Sequence, residues 1–224
     1  MPRNEYQSQL ADLRADVLDM SETVAERLEM ALEALETGDA DLAQQVIDGD
    51  DEINQQYLDL EKQCTDLIAL QQPVAGDLRF IAASFKIITD LERIADLATN
   101  LGEYATDGET NIFPEIDIQE LGDVTLEMLA DAMAAYAEDD SQQCYAVDER
   151  DDHLDDLCEI ASDTVVRELI ESDELDADED IETFMEDVSR FLLTIRDIER
   201  IGDHSVNIAA RALYMIDNND ELIY

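Results

Sequence analysis

Glu92 and Asp96 stand four residues apart, and the same pair recurs as Glu199 and Asp203. Four residues is about one helical turn, so on a helix both carboxylates of a pair stack on one side. Carboxylate oxygens are hard donors suited to Mg, Ca, Mn or Fe rather than to zinc or copper. Spacing alone decides little: with 59 acids in 224 residues, chance supplies roughly fifteen acid pairs four apart. Recurrence inside one block carries the weight. Residues 90–101 (DLERIADLATNL) align with 197–208 (DIERIGDHSVNI) at a constant offset of 107, with six identities and two Leu/Ile exchanges.

On a helical projection Glu92, Asp96 and Asn100 fall within about 80° of one another, beside a separate arc of Ile88, Leu91, Ile94, Ala95, Ala98 and Leu101. Each copy thus presents an oxygen-rich stripe next to a core face. Two readings stand side by side. The stripes share cations, or they are solvated acidic faces partly neutralised by Arg93 and Arg200, each one residue after its Glu. His204 follows Asp203, but its counterpart in the first copy is Leu97, so it reads as an incidental surface histidine. Neither His153 nor His204 has Glu three residues earlier, as a di-iron bundle would show. Three scattered cysteines, Cys64, Cys144 and Cys158, form no C-x-x-C pair and read as small core residues. No Gly-rich phosphate loop, G-x-S-x-G or Cys/His dyad is present, which favours a non-enzymatic role.

The elements that must position these residues are helices. Seven Gly and three Pro leave too little punctuation for a sandwich or barrel, and apolar residues recur in threes and fours almost throughout. The series Leu10, Leu13, Val17, Met20, Val24, Leu28, Leu32, Leu35 predicts one long helix ending near Gly38. Asp39 can cap a second, running through Val46, Ile53, Leu60 and Leu67 and stopping before Gln72-Pro73. A third covers about 77–105, a linker 106–114 follows, and three more helices cover about 115–137, 141–170 and 180–216. Short breaks at 138–140 and an acidic loop at 172–179 separate them. A second match pairs Asp50-Asp51 with Asp151-Asp152, Ile53 with Leu154 and Asn54 with Asp155 at an offset of 101. The chain therefore reads as all-α, a duplicated antiparallel three-helix bundle with units at 1–108 and 115–217.

Charge bounds the partners. Net charge −46, with Lys62 and Lys86 the only lysines, predicts a chain built for screening by concentrated salt, as in a halophile. It lacks the basic footprint of a nucleic-acid binder. The first residues do not look like a signal peptide and no run approaches a membrane span, so a cytoplasmic location is expected.

The doubled block, above all Glu199-Arg-Ile-Gly-Asp203, resembles the repeated E-R-I-G-D signature of the PhoU family. Gln72-Pro-Val-Ala-Gly-Asp77-Leu-Arg79 resembles the Q-P-x-A-x-D-L-R segment before that family's third helix. The resemblance covers nearly the whole chain. It implies two pseudo-symmetric three-helix bundles, commonly a homodimer, and a negative regulator of high-affinity phosphate uptake. The implied partners are the ATPase subunit of the phosphate ABC transporter and, in many bacteria, a sensor kinase, with only peripheral contact to the membrane transporter. It also implies multinuclear metal sites on the E(D)-x-x-x-D motifs: Glu92, Asp96, Glu199 and Asp203 here, with Asn100, Asn207, Asp90 and Asp197 as neighbours. Ala95 stands where the family usually has Gly, and the second repeat has no Q-P-x-A-x-D-L-R equivalent. A cation-storing bundle without signalling role and a plain helical scaffold are the rival readings.

Overall fold

The structure is a computed structural model and describes residues 3–71, 73–106, 113, 115–171 and 178–223. Seven helices are found among them: α1 Arg3–Thr37, α2 Ala40–Asp48, α3 Asp50–Gln71, α4 Ala75–Thr106, α5 Ile118–Glu138, α6 Ser141–Glu171 and α7 Asp178–Asp217. The apolar period sets them. Leu13, Val17, Met20, Val24 and Leu28 lie along one side of α1, all at most 1% exposed. Fully burying one such side chain stabilises by about 1.5–3 kcal/mol, so the stripe fixes α1 against its neighbours. Gly38 ends α1 at φ 66, a left-handed conformation that favours glycine, with its N–H on the Ala34 carbonyl at 2.9 Å.

The second predicted helix is interrupted. Asp39 caps it as expected, its Oδ1 accepting from the N–H groups of Asp41 and Leu42. At Gly49, however, α2 gives way to α3. The Gly49 N–H is shared between the Gln45 and Val46 carbonyls, and the Arg27 guanidinium occupies the space where a Cβ would stand. Arg27 donates to the Gln45 carbonyl at 3.2 Å and to Glu52 at 3.1 Å, bracing both sides of the break. Apolar periodicity runs straight through such a kink, which is why spacing alone misses it. Three boundaries also shift: α4 starts at Ala75, α5 at Ile118 because Asp117 caps the Glu120 N–H, and α7 at Asp178. Most of 106–114 and 172–179, predicted as linker and loop, lies outside the described residues. Phe113 is described and buried, edge-on to Phe191 at 4.9 Å.

The first trio is α1, α2–α3 and α4; the second is α5, α6 and α7. They do not keep separate cores. One continuous apolar cluster runs from Leu13 through Ile88 and Leu91 to Ile198, Ile201 and Leu213. Helices α4 and α7, the duplicated pair, form the most extensive pairing. They are antiparallel: Asp90 of α4 meets His204 of α7, whereas Asn100 and Tyr104, further along α4, meet Asp197, earlier on α7. A second strut is Arg14, which stacks over Phe80 and Tyr136 and donates to the Ala137 carbonyl and to Asp139. Cys64, Cys144 and Cys158 are free and buried, as core residues should be.

Candidate functional site

Each carboxylate stripe faces the preceding long helix of its own repeat. In the first repeat Glu92 lies beside Asp96 and Asp50, and burial, then those two charges, push its carboxyl above the usual range, against the pull of Arg93 and His204. In the second repeat Glu199 is raised by burial, then by Asp155 and Asp203. Asp155 is raised by burial and Asp203 first among its neighbours. The strongest case is Asp151: burial, followed by Asp155, Asp203, Asp148 and Asp152, pushes it up to about 7. Its Oδ1 is buried with no hydrogen-bond partner among the described residues. That oxygen lies beside Gly202, 3.2 Å from where a Cβ would stand.

Two clusters result at equivalent places: Asp50, Asn54, Glu92 and Asp96 on α3 and α4, and Asp151, Asp155, Glu199 and Asp203 on α6 and α7. The α3 and α6 members are the pairs matched at the offset of 101, a signal present in the sequence and here given its spatial meaning. The clusters differ in charge. Asn54 replaces the fourth carboxylate in the first and donates to Asp50 Oδ2 at 2.7 Å. Arg93 remains with its own stripe, pairing with Asp96 at 3.0 Å and Glu92 at 3.5 Å. Its counterpart Arg200 turns away from Glu199 and Asp203 towards Asp197.

Asp197 and Asp90 are occupied elsewhere. The Asp197 carboxylate is fully buried. Its Oδ2 accepts from Asn100 at 3.2 Å and Tyr104 at 3.0 Å. Its Oδ1 accepts from Arg196 at 2.9 Å and Arg200 at 3.3 Å. Asn100 is thereby drawn from the stripe to the repeat interface, whereas Asn207 is exposed. Asp90 holds the ring of His204, which is therefore a half-buried bridge between repeats and not the incidental surface residue its sequence context suggests. His153 is exposed.

Among the described residues no three His, Cys, Asp or Glu side chains converge closely enough to cage a metal ion. The donor set nonetheless fits a hard cation. It is all oxygen, and in the second repeat it includes a buried carboxylate oxygen that lacks a donor. Among the described residues no helix is long and apolar enough to cross a membrane.

Comparison with known proteins matches both trios. The PhoU domain family matches residues 17–105 and 118–212. A "phosphate-specific transport system accessory protein PhoU homolog" of Pseudomonas putida is 32% identical, over 96% of this chain and 82% of that protein. A second relative, "PhoU homolog 1" of Methanothermobacter thermautotrophicus, is 31% identical, over 96% of this chain and 95% of its own length. The crystal structure of PhoU from Pseudomonas aeruginosa superposes with a TM-score of 0.87 at 29% identity, covering 96% of this chain and all of that one. The doubled acidic block, the antiparallel α4–α7 pairing that carries it and the match across both trios lead to one conclusion: this chain belongs to the PhoU family.

Proposed function

We propose that the protein is a negative regulator of high-affinity phosphate uptake, acting as a homodimeric helical adaptor on the ATPase subunit of a phosphate ABC transporter, on a sensor kinase, or on both. The observation that supports this most is the family match over both repeats, with relatives described as accessory proteins of phosphate-specific transport. A surface with 46 excess negative charges suits docking onto basic protein patches at the cytoplasmic face of the transporter and disfavours nucleic acid. The same surplus suits an organism with concentrated cytoplasmic salt, where the Debye length falls to about 3 Å.

Cations, of which Fe, Mn, Mg and Ca match the oxygen donors, would be held in the first cluster by Asp50, Glu92 and Asp96. In the second they would be held by Asp151, Asp155, Glu199 and Asp203. A bound cation supplies positive charge that lets these carboxylates stay ionised side by side. The chain's part is to anchor the two clusters to α4 and α7, which the Asp197 and Asp90 contacts join, so that the acidic faces keep a fixed relation.

Deleting the gene is expected to derepress phosphate uptake in phosphate-rich medium, and the purified protein should retain the transporter ATPase subunit in a pull-down. Unchanged uptake together with no retention of that subunit would overturn the assignment. The orphan oxygen of Asp151 also suits a cation-storing bundle without signalling role; that reading predicts high metal content by elemental analysis and no retained ATPase.

A further inference from the structure

The departure of Arg200 from its own cluster leads to a site between the repeats. An opening of about 270 Å³ beside α4 is lined by Asp50, Arg93, Asp96, Thr99, Asn100 and Arg200. Only 13 side chains of this chain are lysine or arginine. Two of them reach this opening from equivalent positions of the two repeats, and a third, Arg196, shares Asp197 with Arg200. Arg93 and Arg200 are about half exposed, at 54% and 45%. Arg200 uses one nitrogen, Nη1, on Asp197, and Arg93 uses Nε and Nη1 on Glu92 and Asp96. Their other N–H groups have no protein partner among the described residues.

We propose that this opening binds inorganic phosphate between Arg93 and Arg200, together with a divalent cation on Asp50 and Asp96. The forked N–H groups of guanidinium match the oxygens of a tetrahedral oxyanion, and Arg is the residue suited to that geometry. The two carboxylates make binding conditional. A bare anion is repelled by Asp50 and Asp96, whereas Mg²⁺ is commonly held by one or two carboxylates and completed by phosphate oxygens. Cation and anion would therefore enter together, and phosphate would tie Arg93 of one repeat to Arg200 of the other. At the equivalent place in the second repeat Asp155 stands for Asn54 and Val206 for Thr99, and Arg200, the counterpart of Arg93, is turned to Asp197 instead of its own cluster. The proposal rests on the cation reading of Asp50, Glu92 and Asp96 given above.

The test is equilibrium dialysis of the full-length protein with labelled inorganic phosphate, with and without Mg²⁺, alongside elemental analysis. One phosphate per chain is expected with Mg²⁺ and little without it. Arg200→Gln and Arg93→Gln should each weaken phosphate binding at least about tenfold, the loss of one or two charge-assisted hydrogen bonds. Arg167→Gln, which removes the same charge from an exposed position on α6, should leave it unchanged, and Arg200→Lys should recover part of the affinity. Bound Mg²⁺ with no phosphate retained would overturn this proposal alone. So would equal affinity in the Arg93, Arg200 and Arg167 variants. Absence of any bound cation would overturn the cation reading and this proposal with it.

Discussion

His204 Nδ1 lies 2.9 Å from Asp90 Oδ1, joining two helices that are copies of one another at a position where the copies differ. In the first repeat the counterpart of His204 is Leu97, which is buried and cannot make the equivalent bond to Asp197. His204→Leu is a substitution the fold already accommodates sterically in its other half. It leaves Asp90, 16% exposed, without its described partner. We expect about 1–3 kcal/mol lower stability in urea unfolding near neutral pH, the cost of stranding a partly buried acceptor. His153→Leu, at an exposed site, should stay within about 0.5 kcal/mol. Equal effects of the two would show that the bridge contributes nothing.

At the other end of the same interface, Asp197 replaces that single bond by a network. Asp197→Asn keeps the shape but removes the charge that Arg196 and Arg200 share. Breaking a buried pair costs about 3–5 kcal/mol; both guanidiniums reach water here, so about 2–3 kcal/mol is expected. Tyr104 reports on the network. Burial, then its bond to Asp197, pushes the phenol up to about 12. A phenol whose pKa is raised by folding stabilises the native state below the unfolded value, about 10, and that contribution is lost as pH rises through about 12. Ultraviolet titration, with Tyr104→Phe identifying the signal, should show the Tyr104 transition at lower pH in Asp197→Asn. An unmoved transition would mean that burial alone sets it.

The helices were legible because a 3.6-residue period with few breakers admits little else, and the duplication was legible because Asp90–Leu101 and its copy lie on α4 and α7, the two helices that pack most extensively on each other. Gly49 was not: hydrophobic spacing continues through the α2–α3 kink, and what sets it is the distant Arg27. The acidic stripes could be placed on a helix face but not against a neighbour. Only the fold shows that Asp50 approaches Glu92 and that Asp155 approaches Glu199, so each stripe is completed within its own repeat. His204 and Asp197 were misleading by context. Adjacency to candidate ligands suggests metal, or nothing, whereas partners 93 to 114 residues away along the chain determine their roles.

The Ala95/Gly202 difference between the copies gives a further prediction. A Cβ at Gly202 would lie 2.4 Å from Leu154 Cδ2 and 3.2 Å from Asp151 Oδ1, and Leu154 is fully buried. Gly202→Ala must therefore move a packed leucine, and we expect a loss of about 1–3 kcal/mol despite the better helix propensity of Ala. Its counterpart Ala95 already carries a Cβ in the same register, so Ala95→Gly should cost only about 1 kcal/mol, through helix propensity. Paired urea curves decide this; a stabilising Gly202→Ala would show that α6 and α7 are less closely seated than the structure has them.

Asp151 makes the acidic cluster visible as a pH dependence. Folding raises this carboxyl from 3.8 to about 7, through burial first and then Asp155 and Asp203. The native state therefore binds a proton that the unfolded chain has released, and stability falls as pH rises from about 4 to about 7. Glu92, Asp155 and Glu199 are shifted in the same direction and steepen the fall. For chelator-treated protein at fixed high salt, the unfolding midpoint should be higher at pH 5 than at pH 8. Asp151→Asn abolishes the ionisation without changing the shape. It should raise stability at pH 8 by about 1–2 kcal/mol, an amount discounted for the partial solvation of the cluster, and leave it unchanged at pH 4. A divalent cation that engages the cluster should flatten the wild-type slope, because it binds the ionised form that the apo fold disfavours. A wild-type profile as flat as that of Asp151→Asn would remove the electrostatic basis for placing a cation there.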